Sequence, residues 1–123
     1  MKAKPVRLTP SDGYVQCSVE EATHVSLRLP GPSGLLTLPV IRRGTREGTG
    51  CWSWNGSTEA PTLRPSVLTQ RHSRRSDAAF RCHSHINDGV VQFLEDCSHD
   101  LANTTVPLLD VDVIEPPIER ADR

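Results

Sequence analysis

The stretch Phe80 to Asp100, FRCHSHINDGVVQFLEDCSHD, constrains this 123-residue chain more than any other. Polar residues at 81, 83 and 85 interleave with Phe80, Cys82, Ser84 and Ile86, the period of a half-buried strand, and Val90–Leu94 is a second short, mostly apolar run that reads as a strand. Between them stands Asn87-Asp88-Gly89, a turn sequence that predicts an antiparallel hairpin. A three-residue loop over 87–89, the register the sequence favours, sets Ile86 opposite Val90, His85 opposite Val91 and His83 opposite Phe93. A two-residue loop would slip the pairing and put Cys82 beside Glu95. In either register side chains alternate, so His83 and His85 share one face while Cys82 and Ser84 share the other.

The same stretch holds two of the four cysteines and three of the five histidines. In a straight hairpin Cys97 would lie about 13 Å along the strand from the partner of His83, too far for one metal ion. The chain must therefore bend after Leu94. Asp96 or Ser98 suits the cap of a helical turn over 97–102, with Asn103 as its stop. Such a bend brings Cys97 and His99 back over the hairpin and sets Cys97 at a helix N-terminus, where a thiolate is favoured.

Elsewhere the chain reads as short strands cut by turns. Residues 1–13 read as a flexible arm, and Tyr14–Gln16 as the start of a first strand. Val25, Leu27 and Leu29 alternate against Ser26 and Arg28. The turn Pro30–Gly34 precedes the apolar run Leu35–Ile41, in which Pro39 suggests an edge. A glycine-rich loop (42–50), a short strand through Trp52 and Trp54, a strand over 66–69 and a solvated basic loop (70–78) follow. A last strand starts near Thr105, and residues 116–123 read as a flexible tail. The expected fold is therefore α+β: one mainly antiparallel β domain over 14–115 with one short helix.

Composition narrows the function. Apolar residues make up 36% and aromatics 4% of the chain, so the core is modest and gains from a metal or a partner. A net charge of −1 argues against nucleic acid or anionic membrane as partner. No apolar run is long enough to span a bilayer, and no secretory h-region is visible, so a cytoplasmic protein with reduced cysteines is expected. Oligomeric state is not legible.

Thiolates and imidazoles are zinc donors, and a catalytic zinc keeps one position for water. The expected site is one Zn2+ held by His83, His99 and one or both of Cys82 and Cys97, with Glu59 or Asp96 taking a proton from the metal-bound water. The spacing, C-H-x-H and then C-x-H, lacks a paired C-x-x-C, which leaves core or polar roles open for these residues. A second chemistry uses Ser66 as nucleophile, His83 or His99 as base and Asp96 as orienter, although a serine after Pro65 also suits a plain turn. Cys51 reads as a small buried hydrophobe, and Trp52 and Trp54 as core.

The segments WSWNG (52–56), PTLRPSVL (61–68), CHSHINDGVVQFLEDCSHDLA (82–102) and TVPL (105–108) resemble, in order and over about half the chain, a small bacterial and phage family of unknown function. Some of its members are encoded beside bacterial ubiquitin-like proteins and their activating and conjugating enzymes. The resemblance implies a peptidase acting on a protein partner, a ubiquitin-like protein among the candidates; together with the zinc donors it points to a metallopeptidase. The alternative is a non-catalytic, zinc-stabilised binding module. Members often carry an N-terminal C-P-x-C and a following His; here Cys17 and His24 remain but Glu20 replaces the second cysteine, which leaves a second metal site open. The family usually has an aromatic at the position of His85, and Ser can stand at that of Cys97.

Overall fold

A computed structural model describes residues 1–41, 51–72 and 79–112. The loop expected at 42–50, most of the basic loop and the tail lie outside the described residues. Among the described residues nine strands follow in chain order: β1 (Ala3–Thr9), β2 (Gly13–Gln16), β3 (His24–Leu29), β4 (Gly34–Ile41), β5 (Trp52–Trp54), β6 (Leu63–His72), β7 (Ala79–Asn87), β8 (Val90–Phe93) and β9 (Thr105–Pro107). They form one sheet in the order β2-β1-β3-β4-β5-β6-β7-β8-β9. Neighbours are antiparallel except β4 and β5, which run parallel through Val40↔Trp52 and Ile41↔Ser53.

The sheet closes over a single core. Val25, Leu27 and Leu29 of β3 join Trp54, Leu63, Ile86, Val91, Phe93 and Leu108 in one buried cluster. β4 makes this possible by pairing β3 through Gly34–Pro39 and β5 through its last two residues. The far end of the chain returns to the first strands, where Arg28 bridges Leu109 and the Val111 N–H donates to the Met1 carbonyl.

The expected α+β class is corrected by this architecture. The described residues contain strands, turns and one 3-10 turn, Val19–Glu21, and no α-helix. The helix expected over 97–102 does not form: Cys97 and Ser98 are held against β7, and the carbonyls of His99 and Leu101 close tight i→i+3 turns instead of a run of i→i+4 bonds. The Ser98 N–H donates to the Arg81 carbonyl at 2.8 Å and the Leu94 N–H to the His83 carbonyl at 2.9 Å. What remains are four-residue turns, closed by Cys97 to Leu94, Ala102 to His99 and Thr104 to Leu101. Asn103 does take the left-handed conformation, φ 65°, that suits a stop.

Two further readings change. The segment expected as a loose arm holds β1, paired to β2 on one side and β3 on the other; its buried Ala3, Pro5 and Val6 are too few to show a pattern among charged neighbours. Pro39 sits opposite His24 in a strand that has neighbours on both sides, not on an edge.

The β7–β8 hairpin takes the two-residue loop. Asn87 pairs with Val90, Ile86 with Val91, His85 with Gln92 and Ser84 with Phe93. Asp88 (φ 52°) and Gly89 (φ 79°) are both left-handed, the geometry of a type I′ turn, which matches the twist of the strands. Cys82, Ser84 and Ile86 are buried, while His83 and His85 lie on the opposite, half-open face.

A side chain at Gly89 would meet two obstacles, its left-handed φ and a Cβ 3.2 Å from Ala60 Cα and 3.3 Å from the Glu59 carbonyl. Gly89→Val should therefore lower unfolding stability by about 2 kcal/mol or more. An unchanged urea midpoint would contradict this turn.

Candidate active site

Three segments meet on the open face of β7. β6 carries Ser66, β7 carries Arg81 and His83, and the loop after β8 carries Asp96. Leu68 pairs with His83, so Ser66, two residues earlier, lies diagonally across on the same face. The β6–β7 register shifts between Leu63 and Val67, placing Ser66 in an irregular stretch. Such bulges re-aim side chains. Trp52 steadies this stretch, its indole N–H donating to the Ser66 carbonyl at 3.2 Å.

Ser66 Oγ stands 3.0 Å from His83 Nε2. On the other side of the ring, His83 Nδ1 stands 3.1 Å from Asp96 Oδ2 and 3.3 Å from Oδ1. Arg81 Nε donates to Asp96 Oδ2 at 2.9 Å. Burial pushes the Asp96 carboxyl up, but hydrogen bonds from His83 and Arg81 outweigh it and hold the group below the ordinary carboxylate range. Asp96 is thus an anion that can only accept. The ring proton is assigned to Nδ1 on that ground, which leaves the Nε2 lone pair to accept the Ser66 hydroxyl proton. That is the nucleophile, base and orienter arrangement of acyl-transfer sites.

The loop owes its position to β7. Ser98 grips Arg81 at both backbone groups: its Oγ accepts from the Arg81 N–H at 2.9 Å, and its N–H donates to the carbonyl. Cys97 does the same at His83, where Sγ accepts from the N–H and lies against the carbonyl, each at 3.2 Å. Asp96 is the residue just before these anchors. Beside it lies a cleft of about 510 Å³ whose lining includes His83, Gln92, Leu94, Glu95, Asp96 and Thr105.

On the buried face of β7 lies a second group. Donor atoms of Cys82, Cys97 and His99 all fall within 4.8 Å of one another and could hold a metal ion. His99 Nε2 is 3.2 Å from Cys82 Sγ, and the ring lies between Phe80 and Phe93. Burial pushes the Cys82 thiol up, against a smaller downward pull from the nearby Ser33 hydroxyl. That hydroxyl is buried and makes no well-formed hydrogen bond among the described residues.

The structure thus divides the residues expected to share one zinc. His83 is outside the donor group, both its ring nitrogens being engaged by Ser66 and Asp96. Glu59 joins neither group; it is exposed, its carbonyl lies against the hairpin tip, and its charge acts on the Met1 ammonium. His85 is half-buried opposite Gln92. At the N-terminal end, His24 lies 2.8 Å from Thr23 Oγ1 and against Tyr14, Glu20 is exposed, and Cys17 packs on the core with its thiol pushed up by burial. Trp54 is buried and Trp52 and Cys51 are half-buried. Arg81 was missed by sequence reasoning. The alternation that pairs the faces of His83 and His85 also puts Arg81 on that face, where a carboxylate reaching His83 must meet it.

Among the described residues no helix is long and apolar enough to cross a membrane. No curated protein and no solved structure matches the chain. A family model described as bacterial ubiquitination-like system serine protease (BubE) matches residues 2–94. That span takes in Ser66, Arg81 and His83 and stops just short of Asp96, and it agrees with the resemblance to a small family linked to bacterial ubiquitin-like systems. With most of its length matched, the chain belongs to the BubE family, the serine proteases of bacterial ubiquitination-like systems.

Proposed function

We propose that this protein is a serine peptidase in which Ser66 is the nucleophile, His83 the general base and acid, and Asp96 the group that fixes the His83 tautomer. The observation that carries this reading is the unbroken chain Ser66 Oγ, His83 Nε2, His83 Nδ1, Asp96 carboxylate, with contacts of 3.0 and 3.1 Å. Ser66 Oγ attacks the scissile carbonyl carbon while its proton passes to His83 Nε2. The imidazolium so formed is stabilised by Asp96, itself held by Arg81. The C–N bond then breaks as His83 returns the proton to the leaving amine. Water, deprotonated by His83, hydrolyses the acyl-serine ester and frees Ser66.

The family's description as serine proteases corrects the metallopeptidase expectation. A zinc-activated water on His83 would need a ring nitrogen that is already engaged. The substrate class that fits is a protein of the ubiquitin-like system, cut at an amide following the modifier's C-terminal residues. The Glu95 and Asp96 side of the cleft suits a basic or amino-bearing group on the leaving side.

The test uses a fluorophosphonate probe, which reports an activated serine, alongside cleavage of a ubiquitin-like modifier carrying a C-terminal extension. Ser66→Ala and His83→Ala should each lose about 10³-fold or more in kcat/KM, since triad members act as a unit. Glu59→Gln should cleave as fast as wild type. Unlabelled wild-type protein that also fails to cleave would move the assignment to the non-catalytic, zinc-stabilised binding module.

Arg81 is not among the residues that line the cleft and acts through Asp96. Arg81→Gln should reduce kcat by roughly tenfold, a loss of about 1.4 kcal/mol of transition-state stabilisation, with KM nearly unchanged. Arg81→Lys should recover part of it. A pure KM effect would instead place Arg81 in substrate binding.

A further inference from the structure

We propose that Cys82, Cys97 and His99 form a structural zinc site whose task is to fix the loop that presents Asp96 to His83. This rests in part on the serine-peptidase reading, because the consequence of the metal is read at Ser66.

The donors come from two segments that must be held together. Cys82 is buried on β7, while Cys97 and His99 belong to the loop after β8. Their donor atoms already lie within 4.8 Å of one another, close to the spacing tetrahedral zinc requires. Two thiolates and an imidazole select zinc over magnesium, calcium or manganese, which prefer oxygen. Binding releases two thiol protons and leaves a neutral site. The His83 N–H, 3.2 Å from Cys97 Sγ, becomes a donor to the ligating thiolate. The His83 carbonyl, losing the thiol proton, keeps the Leu94 N–H at 2.9 Å. A water in the fourth position gives the buried Ser33 hydroxyl beside Cys82 a partner.

One local contact opposes the site. The Leu101 N–H points to His99 Nδ1 at 3.2 Å, whereas ligation through Nε2 requires the ring proton on Nδ1. That contact spans two residues in a turn and yields to a metal bond.

The metal's place on the sheet sets its role. Cys82 and His83 are consecutive, so their side chains point to opposite faces of β7. Zinc would sit on the core side, and none of its three ligands lines the cleft beside His83 and Asp96. It therefore crosslinks and does not activate a substrate water. Cys97 directly follows Asp96, so a bond from Cys97 through zinc to Cys82 ties the orienting carboxylate to the strand that carries the base.

The test needs no substrate. Protein purified without a His-tag and under reductant should carry about one equivalent of zinc. Cobalt replacing it should give thiolate charge-transfer bands and the d–d bands of tetrahedral coordination, a readout on the wild-type chain. Cys82→Ser and His99→Ala should each bind less than about a tenth of an equivalent. Chelation should lower Tm and slow fluorophosphonate labelling of Ser66 about tenfold or more. In Asp96→Asn, chelation should slow labelling little further, because metal and carboxylate act through the same contact. Ser66→Ala should still bind its zinc. Metal below a tenth of an equivalent in wild type, or cobalt spectra without thiolate bands, overturns the site whatever the labelling shows. Full zinc with labelling indifferent to chelation overturns the positioning role. Full zinc with no labelling at all removes the triad, and the positioning role with it, and leaves the metal site standing.

Discussion

Everything at the candidate active site depends on the way residues 94–98 pair with β7 without being a strand. Two residues of β7, Arg81 and His83, are each gripped at both backbone groups. His83 takes the Leu94 N–H, His83 again meets Cys97 Sγ, and Arg81 takes both backbone and side chain of Ser98. Asp96 lies inside this grip, so its carboxylate has little freedom except toward His83 and Arg81. An exposed ion pair alone would position it poorly, since such pairs gain little against side-chain entropy. The backbone contacts remove that entropy in advance. Loop and strand must be in register before the carboxylate has any use.

β7 itself separates two tasks by the period of a strand. Its inward residues Cys82, Ser84 and Ile86 meet Phe93, Val91 and Leu63 in the core. Its outward residues Arg81, His83 and His85 face cleft and solvent. Burying a side chain the size of Ile86 or Phe93 stabilises by about 1.5–3 kcal/mol, so a slip of one residue would expose the apolar set and bury an arginine and two histidines. The left-handed pair Asp88-Gly89 and the core together lock the register that sends His83 outward. The residue that anchors the turn thus bears on the geometry of the candidate site without approaching it.

Much of this was legible from alternation alone. The two faces of β7 and the bend after Leu94 can be read from residues 80–99, whereas Ser66 with His83 or His99 and Asp96 is only the second of two chemistries that the residue types leave open. The two-residue hairpin was the less favoured reading, because Asn-Asp-Gly also suits a longer loop and only the φ angles at Asp88 and Gly89 decide. The helix at 97–102 was misread because cap residues describe what a segment can do alone. They do not show that β7 holds Cys97 and Ser98 against itself at His83 and Arg81. β1 was hidden by Lys2, Lys4 and Arg7, whose charges mask a strand that buries only Ala3, Pro5 and Val6. Arg81 went unseen because a charged residue next to a cysteine carries no signal until the partner of His83 is known.

The sequence presents five histidines as interchangeable donors, and the fold makes two of them different by what faces each ring nitrogen. His83 has an ionised carboxylate on Nδ1 and a hydroxyl on Nε2, so one nitrogen must hold a proton and the other must accept one. That pairing is what a proton shuttle requires, and it leaves no lone pair for a metal. His99 has a backbone N–H near Nδ1 and a thiol at Nε2, enclosed by Phe80 and Phe93. Its ring meets no carboxylate among the described residues, and the thiol it does meet is buried, with its pKa pushed up by burial. With a second thiol within 4.8 Å, its surroundings are those of a donor group that could hold a metal ion. Spacing along the chain could not make this distinction, because His83 and Cys82 are neighbours in sequence and face opposite sides of the sheet.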